Sequence, residues 1–200
     1  MSSAVAPLRA VNRVRAEGRA IWCVACLLMF LMLLAPAIWN GFALLEYDTG
    51  GYLARWFEGY LVPSRPGAYG LVLAMAARFQ FWPVLVVQAG LTIWIIALLM
   101  RELGVPDRPW LLAAVLASLT VATTLPWLTS ILLTDIFAGL AVLALYLLVF
   151  GETSGAWERW ALGGLVAFAA AAHSATLALV IILVRCLAVS FRRCVSVTRR

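Results

Sequence analysis

The sequence predicts an all-α fold, a polytopic helical membrane protein, on three observations. Of its 200 residues 65% are hydrophobic and 12% charged, with a mean hydropathy of +1.01; soluble domains average about half apolar and about a quarter charged. The apolar residues fall in runs long enough to cross about 30 Å of hydrocarbon, which takes about 20 residues of helix. Those runs lack the period-two alternation of barrel strands. In lipid only helices and closed barrels satisfy the backbone, so helices remain.

The net charge of +6 is segregated to the ends. Arg9, Arg13, Arg15 and Arg19 precede the first apolar run, and Arg185, Arg192, Arg193, Arg199 and Arg200 stand at or beyond the end of the last. Flanking charge of this kind holds both termini in the cytoplasm, against anionic headgroups. No other basic cluster exists to follow a phosphate backbone, which excludes nucleic acid as a partner and leaves membrane lipids.

Residues 1–19 read as a cytoplasmic segment and 20–45 as the first span. That run is too long and too late for a cleaved signal peptide, and no small-residue cleavage site follows it. Cys23 and Cys26 lie inside it without the strand–helix context of a redox motif, so they read as packing residues. Cys186 and Cys194 sit near the C-terminal end, where only their position suggests palmitoylation. No disulfide, metal or cofactor is expected.

Residues 46–65 form the one long polar insert. Tyr52, Leu53, Trp56, Phe57 and Tyr60 recur there at helical spacing with Arg55 and Glu58 between them. This predicts a short amphipathic helix in the interface, aromatic face to lipid, ended by Pro63 and Pro66. Residues 66–189 supply the remaining spans. The second starts at Pro66, a favoured first-turn residue, and ends near Ala77, short for a full crossing. Trp82-Pro83 opens a third span to Met100, and 101–109 is a polar, turn-rich connection. Trp110 to Leu125 stops at Pro126, and Leu128 to Phe150 follows. After the loop 151–159, a single run extends from Trp160 to Val189 with His173-Ser174 in its middle, and 190–200 is a basic cytoplasmic tail. Counted this way there are about six spans, an even number that suits two cytoplasmic ends and places 46–65 and 151–159 outside.

Four positions stand out chemically. Asp48 lies beside Gly50 and Gly51, which let a backbone approach a ligand closely, and a carboxylate at a water–lipid boundary can act as a base on a lipid-borne substrate. The plainer reading is a loop acid that marks the outer side. Arg65 is either an anchor snorkelling to headgroups or a bidentate cation for phosphate. Asp135, after Thr134 at a helix start, reads as buried or nearly so. It is a functional candidate because desolvating an acid is costly, or an N-cap. His173, the one histidine, fits a helix–helix hydrogen bonder better than a catalyst.

The order of these features resembles the GT-C superfamily of membrane glycosyltransferases, in the lipid-linked-sugar style of mannosyl- and aminoarabinose-transferases. The resemblance rests on a first helix, an external loop with Asp48 and Tyr52, an amphipathic helix, and Arg65-Pro66-Gly67-Ala68-Tyr69 where the family has Arg-Pro-Pro-x-Tyr. Gln88 to Leu103, with its Met-Arg-Glu-Leu-Gly ending, looks like the following family helix. Leu132-Leu133-Thr134-Asp135 stands in place of Leu-Thr-Glu, and Ala172-His173-Ser174 in place of Thr-Arg-Pro. It covers roughly Arg19 to Val189, with one Pro rather than two after Arg65 and His173 in place of the later Arg. Family members usually continue for several more helices.

The resemblance implies transfer of a sugar from a polyprenyl-phosphate donor to an acceptor at the outer face of a bacterial inner membrane. Asp48 would be the catalytic base and Arg65 would bind the lipid phosphate. Tyr52, Tyr69, Asp135 and His173 would contribute to substrate binding. The expected partners are the lipid-linked donor, membrane lipids and a partner membrane subunit. A non-catalytic accessory or remnant that binds lipid or a partner is the alternative. A small carrier is disfavoured because no pair of broken helices recurs symmetrically.

Overall fold

The structure, a computed structural model, describes residues 5–63 and 65–198, with side chains described for 18–63 and 65–187. The basic clusters of 1–17 and 188–200 and the Cys194 side chain therefore lie outside the described side chains. The chain is all-helical, 79% helix with no strand among the described residues. An isolated parallel bridge pairs Leu44 with Ile131.

Helix α1 (Val5–Leu33) is followed by α2 (Ala35–Asn40). Pro36 near the start of α2 interrupts the helix, because proline has no N–H to give the preceding turn. The Leu33 carbonyl near the break accepts hydrogen bonds from Thr129 Oγ1 at 2.6 Å and Ser130 Oγ at 3.3 Å. Gly41 then turns the chain back with φ of 76°. The expected single span 20–45 is thus two helices and an extended return.

The insert holds α3 (Tyr47–Phe57), a helix where the aromatic spacing expects one. Its start is closed by Thr49, whose Oγ1 accepts from the Glu46 N–H at 3.1 Å and donates to the Leu132 carbonyl at 3.1 Å. Trp56 and Phe57 face outward, whereas Tyr52 is 2% exposed and turned into the bundle. The aromatic face is therefore split between the surface and the core.

Helix α4 (Gly67–Ala76) and a 3₁₀ turn (Ala77–Phe79) lead to α5 (Trp82–Glu102). The first turn of α4 and the corner that follows the 3₁₀ turn both touch the insert end of the bundle. The Gly67 carbonyl accepts from Trp56 Nε1 at 3.1 Å, and Phe81, beyond the 3₁₀ turn, packs edge-on against Phe42 at 6.3 Å. Helix α4 thus folds back at one end instead of crossing to the other. Gln80 and Phe81 both have positive φ (53° and 65°), the strained corner that reverses the chain into α5.

Helix α5 runs to the opposite end, where α6 (Pro109–Ala122) begins its return. Helix α7 (Leu125–Ser130) lies at the insert end against α1 and α2, α8 (Asp135–Phe150) leads away, and α9 (Ala156–Ala172) comes back. Arg101 and Glu158 clamp the opposite end, with Nη1–Oε1 at 3.0 Å and Nη2–Oε2 at 2.6 Å. The Glu102 carboxylate also accepts there from the N–H groups of Glu152 and Thr153. The loops 101–109 and 151–159 consequently share one end, opposite the insert.

Helix α10 (Ser174–Thr198) starts back at the insert end. The apolar run 160–189, expected as one span, is broken at His173, whose φ and ψ of −150° and 126° are extended. The core is formed by small and branched residues of α1, α5, α8 and α9, among them Ala25, Met29, Leu85, Ala89, Ala141, Ala144 and Leu162, all fully buried.

Candidate functional site

The insert end gathers most of the residues singled out by the sequence. Arg65 Nη2 lies 2.5 Å from Asp48 Oδ1, and their side chains are 22% and 39% exposed. The hydrogen bond to Asp48 raises the Arg65 pKa, so the guanidinium remains charged. The same guanidinium carbon sits 5.7 Å from the centre of the Tyr52 ring, a cation–π contact. Gly51 makes room for this: a Cβ there would stand 3.2 Å from Arg65 Cγ.

Tyr52 connects the pair to the bundle. Its hydroxyl is 3.2 Å from Thr134 Oγ1 and 3.3 Å from His173 Nδ1. A neutral imidazole with a bare Nδ1 lets the phenol donate to His173 while accepting from Thr134. Behind it, the Tyr69 ring meets Tyr52 edge-on at 5.3 Å and Phe137 at 5.9 Å, and Phe137 meets Phe168 at 5.1 Å. Tyr69 is fully buried, yet its hydroxyl has no hydrogen-bond partner among the described residues. An unpaired buried hydroxyl costs about 1–3 kcal/mol. It marks a place where a polar ligand atom would be stabilised.

Asp135 departs from expectation. It is exposed, not buried, and it is the first residue of α8, with Thr134 in the cap position. The Asp135 carboxylate therefore stands beside the cluster without entering its hydrogen bonds. Asp48, Arg65, Tyr52, Tyr69 and His173 come together; Asp135 makes no hydrogen bond or ion pair with them, although its charge acts on the buried Tyr69 phenol.

An apolar cavity of about 560 Å³ opens between α4, α5 and α9, lined among others by Val72, Phe79, Leu91, Phe137 and Phe168. Phe137 is shared, touching Tyr69 on one side and the cavity on the other. Sequence reasoning missed Phe137, Thr49 and the bonding role of Thr134. Thr49 had a signal, three residues after Glu46 at a helix start. Phe137 had none, being one apolar residue in an apolar run. Among the described residues no group of three or more His, Cys, Asp or Glu is arranged to hold a metal, and Cys23, Cys26 and Cys186 are free thiols.

Compared with known proteins, the chain matches no family model, no curated sequence and no solved structure.

Proposed function

We propose that the chain is a multi-pass membrane protein whose insert end binds a polyprenyl-phosphate sugar and transfers the sugar to an acceptor at the outer face. The membrane part rests on the apolar surface: Val121 is 89% exposed, Trp160 83% and Met75 71%. In water so many large exposed apolar side chains would form a sticking surface. Among the described residues one helix, Trp82–Glu102, is long and apolar enough to cross a bilayer, and the other apolar stretches there have 10 to 17 residues. The backbone helices α1 and α10 reach 29 and 25 residues. Helices α6 and α8, at about 21 and 24 Å, would need local thinning of the bilayer or help from their flanking turns. In this reading α1, α5, α6, α8, α9 and α10 cross, while α3 and α4 stay at the outer rim.

The observation that carries the functional part is the juxtaposition of the Asp48–Arg65 pair, the unpartnered Tyr69 hydroxyl and the apolar cavity behind Phe137. A phosphate beside a long hydrocarbon chain is the ligand whose two halves match those surroundings. Donor phosphate would draw Arg65 away from Asp48, since a guanidinium binds phosphate bidentately. The released carboxylate, within reach of an acceptor hydroxyl, would then take its proton as general base while the acceptor oxygen bonds to the anomeric carbon, the bond from that carbon to the phosphate oxygen breaks, and polyprenyl phosphate leaves paired with Arg65. Coupling the base to donor binding would limit idle chemistry.

The non-catalytic accessory reading is favoured by the same ion pair if it never opens. Transfer of labelled sugar from polyprenyl phosphate, measured in membranes with expression checked, separates the two. Asp48→Asn is expected to lose about 10²–10⁴ in rate, while full activity in that variant would overturn the base. No transfer by the unmodified chain, with donor still bound, would establish the accessory reading.

A further inference from the structure

A second recess lies on the other side of α5. Helix α6 packs chiefly against α1 and only sparsely against α5, leaving an apolar groove of about 950 Å³ between α5, α6 and α8. Its walls include Ile96, Leu99, Leu119, Leu140 and Leu143, and Asp135 stands at its insert-end mouth. Along α5 the lining runs from Thr92 to Leu103, about 16 Å of helix. Leu103 and Val105 close it at the 101–109 end, opposite Asp135.

Size separates the candidate occupants. A membrane-length helix is about 30 Å long, nearly twice the stretch of α5 that lines the groove. A volume of about 950 Å³ is instead at the upper end of small-molecule sites, which span about 300–1,000 Å³. Charge selects the head. Asp135 is exposed, and neither ion pair among the described residues, Arg65 with Asp48 or Arg101 with Glu158, includes it. A carboxylate at this mouth repels an anionic headgroup and attracts an ammonium.

We infer that this groove seats the hydrocarbon of an amine-bearing membrane lipid, with the lipid ammonium paired to Asp135. The inference rests on the membrane reading above but not on the transferase chemistry, and it assigns Asp135 a role apart from the Asp48 cluster. Gly139 supplies the independent probe: it lines the groove, and a Cβ there meets nothing within 4 Å, so a larger side chain would occupy the recess without disturbing the fold.

The test is native mass spectrometry of the full chain purified from membranes, with phosphatidylethanolamine and phosphatidylglycerol supplied in equal amounts. The unmodified chain should retain phosphatidylethanolamine preferentially. Asp135→Asn should weaken that preference about three- to fivefold, the scale of a single exposed ion pair. Gly139→Leu should lower retention of either lipid. Equal retention of the two lipids by the unmodified chain, or an unchanged preference in Asp135→Asn, would overturn the inference. Recovery of the chain from the aqueous fraction instead of membranes would overturn the membrane reading itself, so the two failures are distinct.

Discussion

Gly70 shows how closely the site is built. A Cβ at this position would overlap the Tyr52 carbonyl oxygen and stand 3.1 Å from Trp56 Cδ1. A backbone carbonyl inside α3 has little freedom to retreat. Gly70→Ala should therefore part α3 from α4 and cost about 1–3 kcal/mol, the usual scale of overpacking. Thermal unfolding in detergent would measure this, and an unshifted melting temperature would mean that α3 and α4 do not meet as described. A Tyr52→Phe change acts differently. It keeps the ring under Arg65 but leaves Thr134 Oγ1 and His173 Nδ1 without their phenol partner. The expected loss is about 1 kcal/mol of stability, read in the same melts, with the Asp48–Arg65 pair intact.

At the scale of elements, the path of α4 and the break at His173 together redraw the topology. Hydropathy places 78–82 on the inner side and 151–159 outside; the packing puts 78–82 with the insert and 151–159 at the opposite end. Cysteine labelling decides between them. Single cysteines at Tyr60, Arg78 and Thr153, all exposed, would be introduced in a background lacking the four native ones. Tyr60→Cys and Arg78→Cys should label from one side of the membrane and Thr153→Cys from the other. Labelling of Tyr60→Cys and Thr153→Cys from the same side would restore the arrangement that the apolar runs alone suggest. The helix in the insert was legible because its aromatic spacing is local. At His173 the sequence shows only a polar interruption where short helices could divide the run, since Ala172-His173-Ser174 contains neither proline nor glycine to fix a break. The extended backbone there accompanies a hydrogen bond to Tyr52, a residue 121 positions away.

For the molecule as a whole, the end opposite the insert is held by charge. Hydrogen bonds from Arg101, reinforced by the Gly155 N–H, hold the Glu158 carboxyl below its ordinary value near 4.5. A carboxylate whose folded-state pKa is depressed contributes stability above its unfolded pKa and loses it as pH falls through the folded value. The α5–α9 clamp should therefore be intact at neutral pH and weaken below about pH 4.5. Glu158→Gln should flatten that acid limb of the melting-temperature profile. An acid limb of equal steepness in the variant would show that other groups carry it.

The sequence by itself determined that the chain is helical, where most helices begin, and which polar residues are exceptional in an apolar chain. These are properties of composition and local spacing: proline at first turns, aromatic residues at helical intervals, a few charges against long apolar runs. It also singled out Asp48, Arg65 and His173, because polar groups costly to bury are conspicuous by type alone, whereas Tyr52 and Tyr69 entered only through the family resemblance. Only the tertiary structure decided that those five meet, that Asp135 stays outside them at the mouth of a separate groove, and that α4 turns back. Those outcomes depend on which faces pack. In a chain this uniformly apolar, hydropathy hardly distinguishes one helix face from another; contacts such as Gly70 on the Tyr52 carbonyl and Thr49 on Leu132 make the choice.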